Sequence, residues 1–186
     1  KIAIKGGAVI ERELYFTHRG PIISDLKKTG AARISMHWVG NLDSNEMLSV
    51  YLLNHAKNWK EFRNALRHFL SLGLNIAYAD VEGNIGLQSV GGIPIRKKGP
   101  GTVIKTGWTD EYEWEGLVPY EKMPSSYNPP EGFISSANNK TVGDSFPYFI
   151  SYWFSPNYRI RRIREMLTAR EKLGIDDFRA MLADQR

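Results

Sequence analysis

Four histidines, His18, His37, His55 and His68, are the first candidates for chemistry. No two lie three to five residues apart, so the local pair that zinc sites use is absent, and packed or surface imidazoles are the better reading. The chain has no cysteine, which removes disulfides, thiolate metal sites and thiol nucleophiles together. Gly99, Lys105 and Thr106 nearly reproduce a phosphate loop. The match fails because Ile104 stands where the second glycine belongs and Pro100 has no N–H to offer a phosphate. There is no Gly-x-Ser-x-Gly nucleophile elbow. Asp110, Glu111, Glu113 and Glu115 cluster beside Trp108 and Trp114, a group that could host a cation or a paired-carboxylate mechanism but reads better as a solvated acidic loop.

Two features stand above this background. Asn138–Asn139 follows the strand-like stretch Phe133–Ala137. It reads either as a turn or as a carboxamide N–H donor facing a reacting carbonyl from a strand end. The other feature is Arg159. At about 100° per residue, Ile160, Ile163, Met166 and Leu167 form one apolar stripe, and Arg159 falls inside it. A guanidinium on a buried face needs an anionic or carbonyl partner, whereas snorkelling from the first helical turn would need none.

The elements that must position these residues read as mixed α and β. Residues 1–39 read as a β meander: Ile2 and Ile4 alternate with lysines, Gly6–Gly7 turns, Val9–Thr17 is rich in β-branched and aromatic residues, and Lys28–Thr29–Gly30 turns again. Ser44 is expected to cap a helix carrying Met47, Leu48, Tyr51 and Leu52, and Asn58 one carrying Phe62, Leu66 and Phe69. Ile76 to Val90 reads as a hairpin around Glu82–Gly83–Asn84. From Gly91 to Gly132 the composition is that of an ordered loop, a helix is expected over 157–172, and Asp176 is expected to cap a last helix. Short strands joined by tight turns favour antiparallel pairing, so the fold class is α+β, antiparallel sheets with packed helices.

The 186 residues, 42% hydrophobic and 24% charged, are those of a globular unit with no linker or repeat dividing it. No apolar stretch approaches the ~18 residues of a membrane-spanning helix. Of the formal net charge of +5, +4 lies within 158–172. That single feature is the whole case for nucleic-acid binding, and the helix already commits one face to a core. The chain opens on Lys1 in mid-pattern, which suggests a piece of a longer polypeptide.

Read in order, the segments resemble the penicillin acylase (penicillin amidase) family of N-terminal-nucleophile hydrolases. The carrying motifs are Thr17–His18–Arg19–Gly20–Pro21–Ile22–Ile23, Asn58–Trp59–Lys60–Glu61–Phe62–Arg63, the stretch Tyr78 to Gly86, and Gly107 to Trp114. They continue through Asn128 to Ile134, Ala137–Asn138–Asn139 and Tyr158–Arg159. Their order and spacing cover nearly all of residues 1–186, which looks like one internal segment of the family's large, nucleophile-bearing subunit.

The resemblance implies a four-layer αββα fold, an autocatalytically cleaved precursor, and hydrolysis of the linear amide bond of a small acylated molecule. A freed N-terminal serine would attack, with its own α-amino group as base. It maps the oxyanion-hole asparagine onto Asn138 and the active-site arginine onto Arg159, and it places Val50 and Leu74 at acyl-pocket positions. Its partners would be the small subunit and the rest of the large one, not nucleic acid or membrane, in a periplasmic or secreted setting. No cofactor is implied. Calcium, which some relatives bind, finds no carboxylate in the stretch Phe146–Ser151. No serine stands at the start, so the nucleophile is expected upstream of Lys1 and the polypeptide as given is expected to be inactive. The alternative is an inactive acyl-ligand-binding homologue of the same fold.

Overall fold

A computed structural model describes residues 1–24, 30 and 32–185. Among the described residues of the first forty, the strand pairing consists of short ladders. β1 (Ile2–Ala3) pairs with β2 (Val9–Ile10), and β3 (Phe16–Thr17) with β4 (Gly20–Pro21), both antiparallel. A single bridge joins Ile22 to Ser35. The expected meander is therefore present as two-residue ladders rather than a sheet. Residues 1–18 are exposed throughout, so no buried face enforces longer pairing. The turn expected at Lys28–Thr29 lies outside the described residues.

The core begins with two helices, α1 (Glu46–Leu53) and α2 (Trp59–Leu66). Asn45, not Ser44, caps α1: its Oδ1 accepts from the Leu48 N–H, while the Ser44 hydroxyl donates to Glu46 instead. Asn58 caps α2 as expected, accepting from the Glu61 N–H at 3.0 Å. Ser49 of α1 is fully buried and its hydroxyl donates to the Ala65 carbonyl, a small polar contact that lets the helices approach closely.

Against α2 lies a three-stranded antiparallel sheet ordered β5 (Leu74–Ala79), β6 (Ile85–Val90), β9 (Ser125–Tyr127). Between them in the chain come β7 (Pro94–Arg96) and β8 (Trp114–Leu117), which pair with each other. The segment expected to be loop thus carries three short strands, too short and interrupted for any period to register. Phe62, Leu66, Phe69, Tyr78 and Val90 form the buried cluster, ringed by Leu53, Trp59, Ile76 and Tyr120. The β5–β6 turn follows from local chemistry. Gly83 takes φ +87°, and the Asp80 carboxylate accepts from the N–H groups of Glu82 and Asn84.

Two helices close the chain, α3 (Tyr158–Leu167) and α4 (Ile175–Ala183). α3 ends short of the expected 172, with the Thr168 N–H and hydroxyl both bonded to the Arg164 carbonyl. Gly174, not Asp176, precedes α4, with its N–H held by Asp177. The fold class stands as read: mixed helices and sheets, with every ladder among the described residues antiparallel.

Candidate active-site segment

The stretch 133–137 is not a strand: it has no ladder partner among the described residues. Its end is organised by side chains instead. Asn139 accepts the Ala137 N–H on its Oδ1 at 3.0 Å, and Asn138 takes the left-handed conformation with φ +58°. Asparagine tolerates that region better than most residues. The Ser155 N–H donates to the Asn138 carbonyl at 2.8 Å, pinning the turn from the opposite side.

Arg159 reaches this turn from the first residues of α3. Its Nη2 donates to the Ala137 carbonyl at 2.8 Å, to Asn138 Oδ1 at 2.8 Å and to Ser155 Oγ at 3.2 Å. A guanidinium has only donors, so the amide atom facing it must be the oxygen. The Asn138 Nδ2 group is thereby turned away from Arg159, and no hydrogen bond occupies it among the described residues. The structure thus brings two of the sequence-derived candidates, Asn138 and Arg159, into direct contact across 21 residues of chain.

The helical stripe is as expected, with Ile160 buried and Ile163, Met166 and Leu167 half-buried. Arg159 is not inside it. It lies exposed at the stripe's edge, where its carbonyl partner is the Ala137 backbone, and Asn138 is exposed beside it. A groove of about 600 Å³ is lined by their sequence neighbours Asn139 and Ile160 together with Lys140, Asn157, Arg161 and Arg164.

Leu74 opens β5 and Val50 lies on α1, both about half-exposed. The segment bearing Leu74 is tied to the Asn138 loop, because Asn75 Nδ2 donates to Ser136 Oγ at 2.9 Å. Val50 is tied to it less directly. Glu46, in the first turn of the same helix, accepts from the N–H groups of Leu70 and Ser71 just before β5. Those bonds and the Ser44 and Ser71 hydroxyls pull the Glu46 carboxyl down to about 2, the Ser71 N–H contributing most.

The acidic cluster is the solvated loop expected, with Asp110, Glu111 and Glu115 exposed, and three of its four carboxylates are ion-paired. Lys97 reaches Asp110 at 3.4 Å and Lys98 reaches Glu111 at 3.2 Å. Glu113 accepts from His18 at 2.9 Å and from the largely buried Arg19, whose guanidinium also donates to the carbonyls of Gly107 and Thr109. The His18 hydrogen bond, with Arg19 behind it, holds the Glu113 carboxyl below the usual range. His37 stacks on Trp114 with ring centroids 3.6 Å apart, and burial lowers its pKa. Among the described residues no group of three or more His, Asp and Glu is placed to hold a metal ion. Residue types and spacing do not single out Ser155 or the pinning role of Asn139. A Ser–Pro pair ahead of a helix and the second residue of an Asn–Asn pair look like ordinary turn chemistry.

Comparison with known proteins agrees with this architecture. The penicillin amidase family model matches residues 1–186. Penicillin acylase 2 proenzyme of Pseudomonas sp. (strain SE83) is 33% identical over 187 residues, covering 99% of this chain and 24% of that protein. Penicillin G acylase of Escherichia coli is 31% identical over 182 residues, 94% of this chain and 21% of that protein. An acyl-homoserine lactone acylase, QuiP of Pseudomonas fluorescens (strain Pf-5), is 27% identical over 98% of this chain and 22% of its own length. The solved thermostable penicillin G acylase from Alcaligenes faecalis superposes with a TM-score of 0.72 at 24% identity, over 97% of this chain and 32% of that one. The chain therefore spans about a quarter of the length of the curated relatives it matches, and it shares the fold of a solved penicillin G acylase. From end to end, this chain belongs to the penicillin amidase family.

Proposed function

We propose that this chain supplies part of the catalytic centre of an amidohydrolase that cleaves the amide bond of a small acylated molecule. Asn138 is one oxyanion-hole donor in this reading and Arg159 is the residue that orients it. The nucleophile is an N-terminal serine outside the chain, freed by cleavage of a precursor. The family's naming supports this, since its members here are acylases of penicillins and acyl-homoserine lactones and one is a proenzyme. The serine attacks the amide carbonyl, and its proton passes to the α-amino group, a usable base at neutral pH with a pKa near 8. The tetrahedral oxygen draws a hydrogen bond from Asn138 Nδ2. Collapse expels the amine, which takes that proton from the α-ammonium group, and water then releases the acid from the acyl-serine and restores the serine hydroxyl. Val50 and Leu74, both aliphatic, line the acyl pocket in this reading.

One observation carries the proposal: the Arg159 guanidinium holds Asn138 Oδ1 at 2.8 Å, so the carboxamide presents its N–H₂ outward with fixed orientation. A donor fixed before charge develops costs no reorganisation when the oxyanion forms. In the complete protein, Asn138→Ala is expected to lower kcat about 10²–10³-fold with KM retained, the effect of removing one such donor. Turnover at the wild-type rate in that variant refutes the assignment. Absence of any acylase activity in the wild-type protein favours an acyl-binding homologue.

A further inference from the structure

We infer that Ser155 is the positioning residue that keeps Asn138 and Arg159 in register, an inference that rests on the hydrolase reading above. Ser155 makes two contacts at once. Its N–H donates to the Asn138 carbonyl at 2.8 Å, and its Oγ accepts from Arg159 Nη2 at 3.2 Å. It is half-buried, one turn ahead of Arg159 in sequence, and is followed by Pro156. Proline disfavours the helical region for the residue before it, so Ser155 is held out of α3 and its N–H is free to leave the helix and clamp the Asn138 turn.

This division of labour explains how an exposed pair stays ordered. Asn138 is held at φ +58°, a region that non-glycine residues occupy at some cost and keep only when their surroundings enforce it. Two side-specific ties do the enforcing: Asn139 Oδ1 holds the Ala137 N–H, and the Ser155 N–H holds the Asn138 carbonyl. The guanidinium then sets the amide plane. The Ser155 hydroxyl is a third acceptor for the same Nη2, so it restrains the guanidinium from swinging off Asn138 into solvent.

The experiment uses the complete protein and compares Ser155→Ala, Ser155→Thr and Asn138→Ala on one acyl-amide substrate. Ser155→Ala keeps the backbone N–H but removes the hydroxyl, and kcat is expected to fall about three- to tenfold, the range for losing one ordinary hydrogen bond, since this 3.2 Å contact is exposed. KM should stay within about twofold, and Ser155→Thr, which restores a hydroxyl, should recover wild-type kcat. An unchanged kcat in Ser155→Ala overturns the inference. So does a loss that threonine fails to restore, or a lowered thermal midpoint with kcat intact, which is a stability role alone. If Asn138→Ala lowers kcat about 10²–10³-fold while Ser155→Ala leaves it unchanged, only the Ser155 role falls. Full turnover in Asn138→Ala removes the hydrolase reading itself.

Discussion

Gln88 is a fully buried amide in the middle strand of the main sheet, and its replacement by leucine tests whether that polar group anchors the core. Its Oε1 accepts from Arg63 Nε of α2 at 2.9 Å, and its Nε2 donates to the Ser89 carbonyl at 2.8 Å. A third contact, to the Pro124 carbonyl at 3.5 Å, is at the limit of a hydrogen bond. Gln88→Leu keeps the volume but strands the two close partners, each at about 1–3 kcal/mol. Arg63 is half-buried and can turn its Nε to water, which puts its share near the low end. The leucine returns about 1 kcal/mol through added apolar burial. The net is a loss of about 1–3 kcal/mol. Thermal unfolding followed by tryptophan fluorescence reads this directly, because Trp59 packs on Phe62 in the same core. A loss of that size moves the midpoint by roughly 2–4 °C per kcal/mol in a unit of 150–250 residues. An equal or higher midpoint for Gln88→Leu would mean that Arg63 holds α2 to the sheet through the Tyr120 ring it overlies, and that the amide is dispensable.

Two further outcomes follow from the same packing. Gly86→Ala would set a Cβ 2.6 Å from the Trp59 ring, which cannot retreat because it is stacked on Phe62 and Tyr127. The overpacking is expected to cost about 1–3 kcal/mol, seen as a lowered midpoint with altered tryptophan emission. Glu46 titrates at about 2 in the fold against 4.5 unpaired, so the unfolded chain binds more protons between those values. Its stabilising contribution is complete above pH ~4.5 and is lost as pH falls from there towards 2. Glu46→Gln should therefore be less stable than wild type at pH 7, with the gap closing through that acid window. A gap constant with pH would show that the carboxylate's charge is not what Leu70 and Ser71 require.

The parts of this structure that were legible from sequence are those decided within a few residues. Asn58 caps α2 because its side chain reaches the Glu61 N–H three residues on, and the Asp80–Asn84 turn closes on its own side chains. The caps at Ser44 and Asp176 were misplaced by one and two residues. Ser, Asn, Asp and Gly are nearly equivalent as caps, and which one serves depends on what else competes for it. Glu46 takes the Ser44 hydroxyl, and Asp177 covers the Gly174 N–H from inside the helix. The stretch 133–137 has strand composition, but Asn139 and Arg159 take the backbone groups of Ala137 that a ladder would need. Asn139 competes from two residues on, but Arg159 comes from 22 residues away and leaves no local trace.

The motifs that carried the family resemblance bear this out in a second way, since they are bonded to one another. Arg19 of the first motif is the cation that the carbonyls of Gly107 and Thr109 and the Glu113 carboxylate surround. Trp59 of the second lies over Tyr78 and Gly86 of the third. Asn128 accepts the Ile85 N–H and donates to Asn84, clipping a fourth segment to the same hairpin. Residues from distant parts of the chain read as a pattern because each completes another's packing or hydrogen bonding, and a change in one strands its partner. Asn138 and Arg159 obey the same rule, with one difference. The contact holds the Asn138 Oδ1 and leaves its N–H₂ without a partner among the described residues, turned away from Arg159. In the hydrolase reading proposed above, that oriented donor is what meets the charge developing on the substrate.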